Sequence, residues 1–417
     1  MKSIDITGGN TLCGEVSIQG SKNAALPLLA ASVLIKGITV IHNCPRITDI
    51  FSMIKILESI GCKVRFTGHC LEIDAKDITS TALPAEYVKV MRSSIIFIGA
   101  MLGREKEVSI HYPGGCVIGN RPIDMHLEAL KRLGVEFTEA EETIQAKAGR
   151  LEGNEIFLPF PSVGATQNVV LAAVLAKGTT VIKGAAKEPE VTEVCRFLQK
   201  AGAKIHGIGT EILEIEGVPF LKEIEFTVVP DRIVAGTYLL AGAATRGAVL
   251  LENAPVGQMD SLLLMLKNLG AKIHVEKGQI FLNGEEAERS IPFIETRVYP
   301  GFPTDLQSPL MAVLATADGV SIIRETIFED RFRVAKELNR MGGRIFLKEN
   351  QALIYGVKKL KGMKVTAEEL RGGAALVIAG LLAEGRTKIE GLSYIERGYE
   401  DIVRDLKCLG AKIEKSE

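Results

Sequence analysis

The sequence predicts an α/β fold of the α+β type: two domains, each of three βαβαββ units, with apolar helices inside and sheets around them. Three observations predict it. The phrase IGCKV at 60–64 returns as LGVEF (133–137), AGAKI (201–205), LGAKI (269–273), MGGRI (341–345) and LGAKI (409–413). By subtraction its glycines, Gly61, Gly134, Gly202, Gly270, Gly342 and Gly410, stand 73, 68, 68, 72 and 68 residues apart. A small-residue apolar run leading to a glycine and then a strand keeps the same rhythm at Gly37, Gly103, Gly178, Gly247, Gly319 and Gly385. Within a unit the hydrophobic period switches between that of a strand and that of a helix.

The first unit shows the order of elements. GEVSIQ alternates as a strand, and NAALPLLAASVLI is a nearly all-apolar helix that must be surrounded by protein. ITVIHN is a second strand. ITDIFSMIKILESI has apolar residues at helical spacing and is stopped by Gly61. CKVRF and CLEID close the unit as two short alternating strands. The sixth unit ends at LGAKIEKSE without its last strand, and the alternating SIDIT at 3–7 is expected to supply it. One domain then runs over residues 22–229, and the other is discontinuous, 1–21 plus 230–417.

A chain of 417 residues exceeds one ordinary core, which agrees with two domains. A formal charge of −1 argues against a general nucleic-acid binder. The cysteines at 13, 44, 62, 70, 116, 195 and 408 form no CxxC pair and no His/Cys cluster, so no metal site is expected and a reduced compartment is. The N-terminal stretch has no apolar h-region, and ALPLLAASVLI and LVIAGLLA are too short to span a bilayer. The expectation is a cytoplasmic protein without a membrane partner.

Cations recur where helices begin, although the helix N-terminus disfavours them. Lys22, Arg92, Arg232 and Arg371 precede or open the apolar helices; Arg46, Arg121, Arg331 and Arg397 precede the amphipathic ones. Any one of them reads as a solvated or locally paired charge. Eight at equivalent repeat positions point to a small ligand with several negative charges.

Other groups carry two readings each. Asp305 in PGFPTDLQSP is an N-cap or a general base, and PSVGAT (161–166) is a turn or a phosphate-binding helix start. His126 reads as a structural histidine. Cys116 in YPGGCVIGNRP is an ordinary exposed thiol or, near Arg121, an activated one. The glycines at 114, 115 and 119 suit a loop that swings as a lid. No GxGxxG or GxxxxGK[ST] occurs, which leaves Rossmann and P-loop nucleotide sites without support.

GSKNAALPLLAA, PGGC-x-IG-x-RP-x-D, PSVGAT, GFPTD, ETIFEDRF and ERGYE together resemble the enolpyruvyl transferases that act on UDP-N-acetylglucosamine, over essentially the whole chain. The resemblance implies an inside-out α/β barrel in each half. It implies transfer of the enolpyruvyl group of phosphoenolpyruvate to the 3′-hydroxyl of UDP-N-acetylglucosamine, through a tetrahedral adduct, with loss of phosphate. This is the first committed step of peptidoglycan synthesis. No cofactor, metal or obligate protein partner is implied.

The same resemblance assigns residues. Lys22, Arg121 and Arg397 would clamp phosphoenolpyruvate, with Asn23 beside Lys22. Cys116 would donate a proton to the methylene carbon, form an adduct with phosphoenolpyruvate and be alkylated by fosfomycin. Asp305 would take the sugar hydroxyl proton, and Arg331 and Arg371 would stabilise charge. Arg92, Arg121, Pro122, Ile123, Asp124, Met125, Ser162, Val163, Gly164, Asp305 and Ile327 would hold the nucleotide sugar. Where the family commonly has aspartate two residues before the arginine at 371, this chain has Glu369, which keeps the charge and alters the reach of an acid/base group. Alternatives are the sister enzyme for shikimate 3-phosphate, an inactive nucleotide-sugar sensor and an RNA-processing relative; the first does not depend on a loop cysteine.

Overall fold

The structure, a computed structural model, describes residues 2–114, 119, 123–140 and 142–416. Its contacts divide the chain into two units, one of Met1–Gln19, Val117–Asn120 and Pro230–Glu417, the other of Gly20–Cys116 and Arg121–Val229. Each unit has its own hydrophobic core.

The first repeat forms as its sequence suggests. Cys13–Ser17 is a strand, Lys22–Ala31 a buried helix, Ile38–His42 a strand and Thr48–Ser59 an amphipathic helix; Lys63–Thr67 and Cys70–Asp74 make a hairpin. Gly61 adopts φ +106°, and its N–H and that of Cys62 return to Glu58 and Leu57 carbonyls at 3.1 and 3.0 Å. The left-handed step lets the helix end while its last carbonyls stay satisfied. Gly134, Gly202, Gly270, Gly342 and Gly410 all do the same, with φ between +84° and +110°.

The described strands form six separate sheets, three per unit, none closed on itself. In the fifth repeat Phe293–Glu295 runs parallel to Val320–Arg324, which pairs antiparallel with Gln351–Tyr355 and through it with Arg344–Lys348. Repeats one and four exchange their first strands. Cys13–Ser17 lies parallel to Ala248–Glu252, and Ile224–Thr227 lies parallel to Ile38–His42. Ser3–Thr7 enters between Arg386–Glu390 and Lys412–Ser416, antiparallel to both, with Ile6 opposite Thr387 and Ile413. The sixth repeat is therefore completed by the other end of the chain.

The helices inside each unit explain their composition. Lys22–Ala31, Phe97–Glu105 and Val163–Ala173 are almost wholly buried in one unit; Arg232–Ala244, Gln307–Leu314 and Leu370–Leu382 are buried in the other. A helix surrounded on all sides has no polar face, so its starts are where chemistry is placed.

Candidate active site

In the unit that contains Lys22, three helix starts pack together. Arg92 opens the turn Arg92–Ile96, Asp124 opens Asp124–Lys131, and Ser162 caps Val163–Ala173 by accepting from the Ala165 N–H at 3.3 Å. Asn168, wholly buried, ties them from within. Its Oδ1 accepts from the Gly99 N–H at 2.7 Å, and its Nδ2 donates to the Ile95 carbonyl at 3.1 Å and to His126 Nδ1 at 2.8 Å. The carbonyl orientation of the amide is set by Gly99, so His126 Nδ1 is an acceptor and its ring proton sits on Nε2. That imidazole lies under Gly164, where an added Cβ would come within 2.8 Å of the ring. His126 is buried, and through Asn168 and Gly164 it packs between the segments that carry Asp124, Met125 and Ser162–Gly164. Ile123 is buried and Asp124 exposed at the mouth of its helix.

Lys22 is the first residue of its helix and buried, with Nζ 2.5 Å from Asp49 on the first turn of Thr48–Ser59. Asn23 is half-buried beside it. Arg46, at the start of the same amphipathic helix, has a different task. It is exposed, its guanidinium lies 4.4 Å from the Phe66 ring centre, and it donates to the Gly68 carbonyl at 2.9 Å. For Arg46 the solvated reading holds.

In the other unit Asp305 sits in the turn Thr304–Leu306, capped by Pro303, so it is not the N-cap. Its two oxygens are 2.6 Å from Arg331 Nη2 and 2.8 Å from Arg371 Nη2. Both arginines are about 3% exposed, and among the described residues Arg331 Nε and Arg371 Nη1 are buried donors without an acceptor. Burial works against the charge on Arg371. Asp305, with Tyr399 and Asp231 nearby, nevertheless holds it above the ordinary arginine value. Two charged donors and two spare ones suit an oxygen-rich anion.

Glu369 caps Leu370–Leu382: it accepts from the Arg371 N–H at 2.7 Å and from the Gly372 N–H, and lies 3.9 Å from Arg331. Asp231 holds the equivalent place before Arg232–Ala244. Arg397 is half-buried in a turn framed by Gln19, which donates to the Gly398 carbonyl at 3.1 Å and accepts from the Glu400 N–H at 2.8 Å. Ile327 is fixed through its N–H by Glu325 at 2.8 Å. Asn168 carries no sequence signal, because a single polar residue in an apolar helix has no period; Gln19 and Glu325 stand at the end of a strand and in the ETIFEDRF motif, but nothing there shows which groups they bond.

Cys116, Arg121 and Pro122 lie outside the described residues. Of the glycines read as hinges, Gly114 is required by space: an added Cβ would be 1.8 Å from the Lys89 carbonyl oxygen. Burial pushes the Cys62 and Cys195 thiols up to about 12, which leaves them protonated core residues. No cluster of metal-ligating side chains occurs among the described residues.

The sequence profile of the EPSP synthase (3-phosphoshikimate 1-carboxyvinyltransferase) family matches residues 6–406. A protein of Caldanaerobacter subterraneus subsp. tengcongensis named UDP-N-acetylglucosamine 1-carboxyvinyltransferase 2 is 49% identical over 413 residues, 99% of either chain. Its namesake in Listeria monocytogenes is 44% identical over 411 residues, 99% of this chain and 97% of that one. The crystal structure of the enolpyruvyl transferase NikO from Streptomyces tendae superposes with a TM-score of 0.88 at 25% identity, covering 100% of this chain and 99% of that one. EPSP synthase from Acinetobacter baumannii, at 19% identity and a TM-score of 0.77, shares the fold.

Proposed function

The chain belongs to the EPSP synthase (3-phosphoshikimate 1-carboxyvinyltransferase) family, and from that premise we propose that it is the enolpyruvyl transferase for UDP-N-acetylglucosamine. It moves the enolpyruvyl group of phosphoenolpyruvate to the 3′-hydroxyl and releases phosphate, the first committed step of peptidoglycan synthesis. The observation that carries this reading is 49% identity, end to end, with a protein named for that reaction.

Chemically, Asp305 takes the hydroxyl proton, the freed oxygen attacks C2 of phosphoenolpyruvate, and Cys116 protonates C3 to give a tetrahedral adduct. Loss of a C3 proton then expels phosphate and restores the double bond. Two arginines hold the Asp305 carboxylate in place, and the spare donors of Arg331 and Arg371 support the reading of a polyanion beside it. Lys22, Asn23, Arg121 and Arg397 hold phosphoenolpyruvate. Arg92, the segment 121–125, Ser162–Gly164 and Ile327 hold the nucleotide sugar. Glu369 serves through its cap and its neighbour Arg331. Residues 22–229 form the domain with the Cys116 loop, and 1–21 plus 230–417 the second. No described helix is long and apolar enough to cross a membrane; the proposed setting is the cytoplasm, with small molecules as the required partners.

Phosphate release from phosphoenolpyruvate, compared with UDP-N-acetylglucosamine and with shikimate 3-phosphate as acceptor, tests the reading. Release that needs the nucleotide sugar and stops as fosfomycin adds mass to Cys116 is expected. Release only with shikimate 3-phosphate would move the chain to the sister reaction, and nucleotide-sugar binding without release would make it a sensor.

A further inference from the structure

Glu325 is 2% exposed and follows the strand Val320–Arg324. A carboxylate offers about four lone-pair sites, and here four protein donors converge on it. Oε1 accepts from Thr296 Oγ1 at 2.8 Å, from the Ile327 N–H at 2.8 Å and from the Phe328 N–H at 3.2 Å; Oε2 accepts from Thr304 Oγ1 at 2.9 Å. Three of these bonds crowd Oε1 and one engages Oε2, on a side chain that is buried, so the group is held by the protein rather than presented to substrate.

The four donors belong to three separate stretches of chain. Thr296 follows the parallel strand Phe293–Glu295, Thr304 is the residue before Asp305, and Ile327 and Phe328 lead to Arg331. Asp305 and Arg331 are themselves joined at 2.6 Å. The bonds therefore close a ring: Asp305, Thr304, Glu325, the 327–328 backbone, Arg331 and back to Asp305. Thr326 adds a brace, its N–H donating to Thr296 Oγ1 at 2.9 Å and its hydroxyl to the Thr296 carbonyl at 2.6 Å.

We propose that Glu325 is a positioning residue for the transfer reaction, setting where the Asp305 carboxylate stands relative to Arg331 and to the Ile327 segment. The inference rests on the transferase reading. Reach and acceptor pattern matter here more than charge. Glutamine in its place has a carbonyl for Thr296 and the two N–H groups, and an amide N–H for Thr304 Oγ1, since a hydroxyl also accepts. Aspartate is one methylene shorter and leaves one side of the ring unmade.

The test measures kcat for phosphate release in wild type, Glu325→Gln, Glu325→Asp and Glu325→Ala, normalised to the number of UDP-N-acetylglucosamine sites counted by calorimetry. Because catalysis is sensitive to small misplacement, kcat per site is expected to fall about tenfold or more in the Asp and Ala variants and to stay within about threefold in Gln. An Asp variant with wild-type kcat per site overturns the proposal. So does a Gln variant as impaired as Ala, which would make the charge itself the requirement. If Ala does not fold, the Gln and Asp pair carries the comparison. Wild-type protein that releases no phosphate with UDP-N-acetylglucosamine would instead sink the transferase reading, and this inference with it.

Discussion

Asp305 and Arg371 meet at 2.8 Å although 66 positions separate them in the chain, and Arg331 closes on the other oxygen of the same carboxylate. One carboxylate is thus shared by two buried guanidinium groups. Asp305→Asn is expected to lower turnover by roughly a hundredfold or more by removing the general base. It also leaves two buried cations less well compensated, a loss on the order of 3 kcal/mol for a broken buried pair. Phosphate release and thermal melting check the two effects separately. Normal melting with lost turnover would mean that Glu369, 3.9 Å from Arg331, suffices to hold the charge.

Glu369 caps a helix with a side chain longer than the usual capping residues. Aspartate reaches the same N–H groups with one fewer rotatable bond. Glu369→Asp is therefore expected to keep or raise stability by up to about 1 kcal/mol, and Glu369→Ala to lower it by about 1–2 kcal/mol. Urea unfolding of both variants decides. An alanine variant as stable as wild type would show that the cap contributes nothing there.

The repeats were legible because each ends a helix with a glycine that only a left-handed step requires, and all six of those glycines adopt it. The cations were legible as charges but not as partners. Arg46 and Arg331 precede equivalent helices, yet one rests on Phe66 at the surface and the other is buried on Asp305. What separates them is the neighbour supplied by a distant segment. Gly114 was readable as a hinge only because sequence does not show the Lys89 carbonyl that excludes a side chain there. Asn168 escaped notice for the same reason, since its partners Gly99 and Ile95 lie 69 and 73 positions away.

Asn168 is also the basis of a prediction. Asn168→Leu leaves the Gly99 N–H and the Ile95 carbonyl buried without their side-chain partner, at a cost of about 1–3 kcal/mol for each unsatisfied group. It also removes the Asn168 bond to His126 beneath Gly164. Lower melting together with a several-fold weaker UDP-N-acetylglucosamine affinity is expected, about 1 kcal/mol of binding for a fivefold loss. Calorimetry on the folded variant measures the second effect; unchanged affinity would confine Asn168 to stability.

Cys116→Asp is expected to fold normally and retain turnover while escaping fosfomycin. A carboxylic acid replaces a proton donor but not a soft sulfur nucleophile. Mass spectrometry after fosfomycin treatment and phosphate release with and without the drug are the measurements. A variant that turns over and is still inactivated would place the alkylated atom elsewhere.

Tyr238 and Tyr399 are buried phenols in the unit that contains Asp305. Burial pushes the Tyr238 hydroxyl well above its usual value of 10.0, and Asp405, which accepts its hydrogen bond at 2.8 Å, adds to the shift. Burial raises Tyr399 as well, against the opposing pull of Arg371. A raised phenol keeps its proton in the folded chain at a pH where the unfolded chain has lost it. The stability it contributes is fully present below pH 10 and is lost as pH rises from there through the folded value. Each such group lowers unfolding free energy by about 1.4 kcal/mol per pH unit in that window. Urea unfolding at pH 8 and pH 11 should therefore show a smaller loss in Tyr238→Phe than in wild type. The variant starts from a lower stability at pH 8, because the Asp405 hydrogen bond is gone, so only the change with pH isolates the phenol. An equal change in both proteins would mean that Tyr238 titrates alike folded and unfolded, contrary to its burial.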